Sequence, residues 1–127
     1  MVSQAKGDTK IMNAKRLKEL KNYIIENDGL TLSSDGKIAN LKTGYMVSLS
    51  GYEKVIKDIK FLELAQVKSY LKKAKRLNAF VGFWVDDGKI YLDLSINISN
   101  KKEALKIAKN NKQLAIFDCK KLVSIHL

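Results

Sequence analysis

Residues 80–98 read FVGFWVDDGKIYLDLSINI, two apolar segments on either side of the turn sequence Asp86-Asp87-Gly88-Lys89. An Asp-Gly pair between apolar segments is typical of a two-residue type I′ hairpin, because its central positions require positive φ. In the second segment, every other residue from Ile90 to Ile98 is apolar, which points these side chains to one face of a strand. The stretch therefore predicts an antiparallel hairpin of residues 80–85 and 90–98 with one buried face.

Apolar residues recur every three or four positions in three other segments, which predicts amphipathic helices over 13–27, 61–77 and 101–111. The buried face of the second helix is expected to carry Phe61, Leu64, Val67, Leu71 and Ala74. The third helix follows Asn100-Lys101-Lys102-Glu103, which has the spacing of a capping box with Asn in place of Ser or Thr.

Turn residues divide the remaining sequence into short strand candidates. These candidates are residues 30–32, 38–41, 45–49, 114–117 and 122–127. Residues 51–59 fit either a helical turn or a bent strand. Asn27-Asp28-Gly29 is expected to end the first helix, with Gly29 in the left-handed conformation.

The order of these elements, α-β-β-β-α-β-β-α-β-β, predicts the fold class. Hairpins connect most of the strands, and hairpins produce antiparallel sheets. We therefore predict an α+β fold in which about three amphipathic helices lie on one face of an antiparallel sheet. A single domain is expected over residues 13–127, and residues 1–12, which have no apolar period, are expected to form a mobile tail.

The composition limits the class of protein. A chain of 127 residues with 46% hydrophobic residues has the size and composition of one globular domain. It contains no apolar run of the roughly 20 residues that span a bilayer, and residues 1–12 lack the apolar stretch of a signal peptide. A single cysteine, Cys119, fits a reducing compartment. These features predict a cytoplasmic protein.

Positive charge is concentrated in two segments. The chain has 24 Lys and Arg residues against 13 Asp and Glu residues, a formal net charge of +11. Residues 60–78 contribute +5 and residues 99–127 contribute another +5, whereas residues 79–98 contribute −2. Charge that is distributed in this way favours a negatively charged partner, because the summed field attracts and holds polyanions.

The basic residues of two predicted helices recur at helical spacing. The candidate binding residues are Lys68, Lys72, Lys73, Lys75 and Arg76 on the second helix, with Lys102, Lys106 and Lys109 secondary on the third. If the helices pack side by side, these stripes form one continuous phosphate-binding surface. The alternative is that they are solvated helix faces in a Lys-rich proteome, where the codon usage of an AT-rich genome raises the lysine content of every protein. A lysine ammonium suits phosphate contact better than base reading, so backbone recognition is favoured.

The predicted hairpin offers a possible secondary surface. Its residues are Trp84, Tyr91, Asp93 and Ser95, which are expected to share the sheet face opposite the main core. An exposed aromatic ring there could stack on bases or anchor a protein partner. The alternative is that Phe83 and Trp84 are core residues, since tryptophan is highly buried on average.

No group of residues has the pattern of a catalytic or metal site. Asp86 and Asp87 belong to a hairpin turn and Asp93 adds one strand carboxylate, so an acid/base pair or a metal site is not expected. Cys119 and His126 lack an identifiable third group that would orient the histidine as a base. Phosphate-loop, dinucleotide and zinc patterns are absent. We predict no cofactor, no metal and no enzymatic activity.

A longer pattern extends over residues 82–118. Its positions are Gly82, Trp84, Tyr91, Asp93, Ser95, Glu103, Ala104, Leu105, Gln113, Ala115, Ile116, Phe117 and Asp118. The pattern resembles a module of small, largely uncharacterised proteins of phages, plasmids and conjugative elements in low-GC Gram-positive bacteria, and residues 42–48 (KTGYMVS) resemble a second stretch of such proteins. The resemblance implies a mobile-element context in a bacterial host.

The polar residues of this pattern have two interpretations. They could contact a partner, or they could serve the fold, for example if Asp93 or Gln113 caps the third helix or pairs across strands.

Three functional hypotheses follow. The first is a non-enzymatic accessory protein of a mobile element that binds nucleic-acid phosphates through its Lys-rich helices. The alternative, by analogy with other mobile-element proteins, is an anti-CRISPR or anti-restriction protein that binds a host defence nuclease or its ribonucleoprotein. A structural role in virion assembly is a third possibility. No membrane partner is expected.

Overall fold

A computed structural model describes residues 11–127, and in this range three helices and seven strands form an antiparallel α+β fold, as predicted. The helices are α1 (Ala14–Asn27), α2 (Leu64–Leu77) and α3 (Lys101–Asn110). The strands are β1 (Gly29–Leu32), β2 (Tyr45–Ser48), β3 (Lys54–Ile56), β4 (Phe80–Asp86), β5 (Lys89–Ile98), β6 (Ala115–Asp118) and β7 (Val123–His126). A short 3-10 helix, Ile59–Phe61, precedes α2.

β5 is the central strand of the sheet. Along one edge it pairs with the whole of β4, and along the other it pairs with β2 through residues 95–98 and with β3 through residues 90–92. The strand order is β1-β4-β5-β2-β6-β7, with β3 beside β5. At the β4–β5 turn, Asp87 and Gly88 have φ of 53° and 75°, the two positive values of a type I′ turn, so the predicted hairpin is confirmed.

All three helices pack on the same face of the sheet. The main core joins buried residues of α1 and α2 to those of β4 and β5, among them Leu20, Ile24, Val67, Ala74, Val81, Phe83, Leu92 and Leu94. A second cluster joins Val47 of β2 and Ile116 of β6 to Ala104 and Ala108 of α3. Ile96 of β5 packs against both clusters, so the core is continuous beneath the helices. No helix in residues 11–127 is long and apolar enough to cross a membrane.

The third strand lies elsewhere than expected. Residues 38–41 do not form a strand, and Ile38 makes only an isolated bridge to Leu32. The strand is instead β3, in the segment whose pattern was ambiguous.

The buried face of α2 also differs from the expectation. Phe61 lies in the 3-10 helix and is 53% exposed, whereas Tyr70 is buried. The Tyr70 hydroxyl donates to the carbonyl oxygen of Tyr52 at 2.5 Å, which satisfies the polar atom of this otherwise apolar position.

Two expectations near the N-terminus are corrected. Asp28, not Gly29, has the left-handed conformation after α1, with φ 59°. A glycine at position 29 is favoured because a Cβ there would lie 3.0 Å from the Phe83 carbonyl oxygen. Met12 is buried in the main core, so it belongs to the domain and not to a tail. Residues 1–10 of the predicted tail lie outside the described residues.

Shortening a central core side chain should destabilise the fold strongly. Leu92 of β5 is 1% exposed, so Leu92→Ala is expected to lower the free energy of unfolding by about 2–5 kcal/mol. Leu114, which is 83% exposed, is the matched control, and Leu114→Ala should change it by about 0.5 kcal/mol or less. Urea unfolding measures both values, and equal effects of the two substitutions would show that the assigned core is wrong.

Candidate functional site

One face of the sheet carries no helix within residues 11–127. On this face, cross-strand pairing sets Trp84 opposite Tyr91 and Asp93 opposite Gly82, and Ser95 lies two residues farther along β5. The expectation that the four hairpin residues share the face opposite the core is therefore confirmed. We call this surface the open sheet face.

The aromatic pair of the open sheet face is partly exposed. The rings of Trp84 and Tyr91 stack with centroids 4.4 Å apart and planes inclined by 17°. Trp84 is 47% exposed, so the alternative that it is a core residue is wrong, whereas Phe83 is 2% exposed and does belong to the core. The stack holds the indole in one orientation at the surface, where its free side is accessible.

Asp93 lies at the floor of a groove of about 680 Å³ on the open sheet face. Its Oδ2 accepts hydrogen bonds from the hydroxyls of Ser48, at 2.8 Å, and Ser95, at 3.5 Å. A Cβ at Gly82 would clash with Oδ1, so a glycine opposite Asp93 leaves the room that the carboxylate occupies. Burial raises the pKa of the Asp93 carboxyl, the two serine hydroxyls oppose that shift, and the charge of Glu53 adds to it.

Asp93 was expected either to contact a partner or to serve the fold. Its hydrogen bond from Ser48 of β2 shows a cross-strand role within the fold. Asp93 does not cap α3, because the Asn100 side chain accepts the hydrogen bond from the Glu103 N–H at 2.9 Å. Gln113 follows α3 and its amide donates to the Ser50 hydroxyl at 3.4 Å. Its contact thus ties the end of α3 to the loop after β2.

The helix side of the molecule carries the basic residues, and the largest set lies on α2. Lys68, Lys72, Lys75 and Arg76 are all exposed and fall within a sector of about 100° around the helix axis. None of the four makes a salt bridge to a carboxylate in residues 11–127. We call these four residues the α2 stripe. Neighbouring cations without acidic partners can contact an external anion with no internal bond to break.

Lys73 does not belong to the α2 stripe. It is half-buried on the other side of the helix, and its ammonium lies 5.4 Å from the centroid of the Tyr70 ring. This cation–π contact gives Lys73 a role within the fold.

The α3 lysines form a separate stripe. Lys102, Lys106 and Lys109 are exposed and share a sector of about 60°. α2 packs on β4, whereas α3 packs on β2, β5 and β6, so the two helices do not pack side by side. The loop between β2 and β3 contacts both of them, through Tyr52 to α2 and through the Ser50 hydroxyl to the Asn111 carbonyl oxygen at the end of α3. The lysines of α2 and α3 therefore do not form one continuous surface through direct helix packing.

The titratable side chains considered as a metal site or as a Cys–His pair are not brought together within residues 11–127. No three His, Cys, Asp or Glu side chains within residues 11–127 are placed to hold a metal ion. Cys119 follows β6 directly, whereas His126 pairs with Ala115 at the opposite end of that strand. Burial raises the pKa of the Cys119 thiol, as does the charge of Asp118, and this disfavours a nucleophilic thiolate.

The environment of Asp93 should be visible in the pH dependence of stability. Burial raises its pKa above the ordinary 3.8, so the folded state holds the proton more tightly than the unfolded state. This group therefore lowers the free energy of unfolding as pH rises from 3.8 through the raised pKa. Asp93→Asn cannot ionise, so it should gain stability relative to the wild type between pH 3 and pH 7, as measured by urea unfolding at several pH values.

A second variant tests the cause of this shift. The Ser48 hydroxyl lowers the pKa of Asp93, so Ser48→Ala should extend the fall in stability to higher pH. If the stability difference between Asp93→Asn and the wild type is the same at every pH, Asp93 does not have the described environment.

No family model, curated protein or solved structure matches the chain. The function must therefore be inferred from the surfaces themselves. These are the α2 stripe and the α3 lysines on the helix side, and the open sheet face on the other side.

Proposed function

We propose that the protein is a non-catalytic binding protein whose α2 stripe contacts the phosphate backbone of a nucleic acid. The observation that supports this proposal is the set of four exposed cations on one side of α2 that form no salt bridge within residues 11–127. α2 itself, Leu64–Leu77, contains no acidic residue, so the field along the stripe has one sign. Such a field attracts polyanions and increases their rate of association.

The dimensions of the α2 stripe suit a phosphate backbone. From Lys68 to Arg76 it extends about 12 Å along the helix axis, which is the rise of about three to four nucleotides of one strand. Three of the four cations are lysines, whose ammonium groups offer donors without the planar fork that reads base edges. We therefore expect binding with little sequence preference.

Reversing two of the four charges of the α2 stripe should weaken nucleic-acid binding. Lys68→Glu with Lys72→Glu replaces two phosphate contacts by repulsion, and the affinity for a 20-base-pair DNA is expected to fall by about tenfold or more. Lys and Glu have similar helix propensity, so the melting temperature should stay nearly unchanged. Fluorescence anisotropy of labelled DNA and RNA measures the affinity.

The matched control is Lys120→Glu with Lys121→Glu. Both side chains are exposed in the turn between β6 and β7, away from α2, and the change in net charge is the same. This control should lose much less affinity than the α2 variant. Equal losses would mean that net charge, and not the α2 stripe, determines binding, and loss of folding in the α2 variant would assign the stripe a structural role.

Salt dependence gives an independent measurement. Four phosphate contacts predict that log K falls against log salt with a slope of about −3.6 on duplex DNA, and loss of two contacts reduces the slope to about −1.8. An affinity that does not change between low and moderate salt would contradict phosphate binding.

A second function, inhibition of a host defence nuclease, is favoured by the open sheet face. Trp84 and Phe117 are exposed there, at 47% and 38%, on the side of the molecule away from the α2 stripe. Exposed aromatic residues are common anchors of protein interfaces. A complex with such a nuclease that survives nuclease treatment and high salt, but is lost in Trp84→Ala, would support inhibition over nucleic-acid binding.

A further inference from the structure

β7 is an edge strand with free backbone groups. The Leu127 N–H donates to the Leu114 carbonyl oxygen. In the β6–β7 register this pair, and every second residue pair after it, is therefore a hydrogen-bonded pair. Ser124 and His126 fall in between, and their N–H and C=O groups point away from β6. The hydrogen bond from the Cys119 N–H to the Gly44 carbonyl oxygen, in the pairing of β6 with β2, agrees with this pattern of hydrogen-bonded pairs. No strand in residues 11–127 covers this outer edge of β7.

A groove of about 800 Å³ follows this edge on the helix side, between α3 and β7. Its apolar lining includes Leu105 of α3 and Ile125 of β7, and its basic lining is Lys101, Lys106, Lys109 and Lys112. No carboxylate side chain of the described residues lines it. The groove therefore combines an apolar floor with a rim of one charge.

This combination does not suit a nucleic-acid backbone. A phosphate backbone would neutralise the lysines, but it would leave Leu105 and Ile125 facing a charged, hydrated surface. A free strand edge also offers N–H and C=O groups at the regular spacing of a polypeptide. The features together fit a peptide that is both acidic and apolar.

We propose that β7 and the groove beside it bind an extended acidic segment of a partner protein, which adds a strand to the sheet. This site is separate from the α2 stripe and does not depend on the proposed function. The added strand forms backbone hydrogen bonds with Ser124 and His126. Every second side chain then faces α3, where apolar residues contact Leu105 and Ile125 and acidic residues reach the lysines.

A second copy of this chain is a poor occupant of the same edge. Residues 119–127, CKKLVSIHL, contain two lysines and no acidic residue. The β7 of another copy would bring no carboxylate to neutralise the lysines of the groove. Charge complementarity thus favours an acidic partner.

The test uses a fluorescent nine-residue peptide. Its even positions are Glu and Leu in alternation, and its odd positions are Thr. The full chain should bind it at least about tenfold tighter than the same peptide with Lys in place of Glu. A version with proline at its centre should also bind about tenfold more weakly, because it cannot complete the added strand. Fluorescence anisotropy measures each affinity.

Ser124→Pro is the sharpest variant, since it removes an outward N–H without removing a bond to β6. Proline is tolerated on edge strands in this orientation. Affinity for the acidic peptide should fall about tenfold, whereas Ser124→Ala should stay within about twofold of the wild type. Lys106→Glu with Lys109→Glu should also cause about a tenfold loss, and it decides the question if Ser124→Pro does not fold.

Three results would overturn the proposal. They are failure of the wild type to bind the acidic peptide, equal binding by folded Ser124→Pro, and a dimer of the wild type that Ser124→Pro dissociates. Lys68→Glu with Lys72→Glu should leave peptide binding unchanged within about twofold, because the α2 stripe lies elsewhere. Failure of the α2 proposal and failure of this one are therefore distinguishable.

Discussion

Both edges of β5 are hydrogen-bonded, one to β4 and the other to β2 and β3. Side chains alternate along a strand, so a slip of one residue would turn Leu92 to the open face and bury Asp93 in the core. The cost of an unpaired carboxylate in the core, together with lost apolar burial, prevents such a slip. The register of β5 thus determines which face of the sheet the helices cover. It also determines where the Asp93 carboxylate lies.

This arrangement separates surfaces of different chemistry. The α2 stripe lies on the helix layer, the aromatic pair lies on the open sheet face, and the α3 lysines border the β7 edge. Because the sheet lies between the first two, one short stretch of a nucleic-acid strand could not reach the α2 stripe and stack on Trp84 at the same time. The charge pattern predicted one basic surface only if the two helices pack side by side, whereas α2 and α3 pack on different strands and carry two separate sets of lysines.

Local patterns predicted the elements whose signals are local. The Asp87-Gly88 turn, the alternation after it and the Asn100 cap each depend on neighbouring residues, and the structure contains all three. The length and face of β3 depend on its pairing with β5, which no local period reveals. Tyr70 lies three residues after Val67 and four before Ala74, so helical spacing is consistent with its burial, whereas the Tyr52 carbonyl that accepts its hydrogen bond comes from a distant loop.

The candidate surfaces were predicted to a different extent. Helical spacing located the exposed lysines of both helices, and strand alternation placed Trp84 and Tyr91 on one face. Lys73 was a candidate although it lies off the spacing of the α2 stripe, and its three-residue separation from Tyr70 on the same helix makes the two side chains neighbours. The groove at β7 was not predicted, because α3 and β7 line it together and no local pattern contains both of them.

The position of Trp84 also makes the chain its own optical reporter. It is the one tryptophan in the sequence, and it is half exposed against Tyr91 rather than enclosed in the core. Its emission therefore senses hydration of the open sheet face. Selective excitation of this one ring reports occupancy of the open sheet face without any added label.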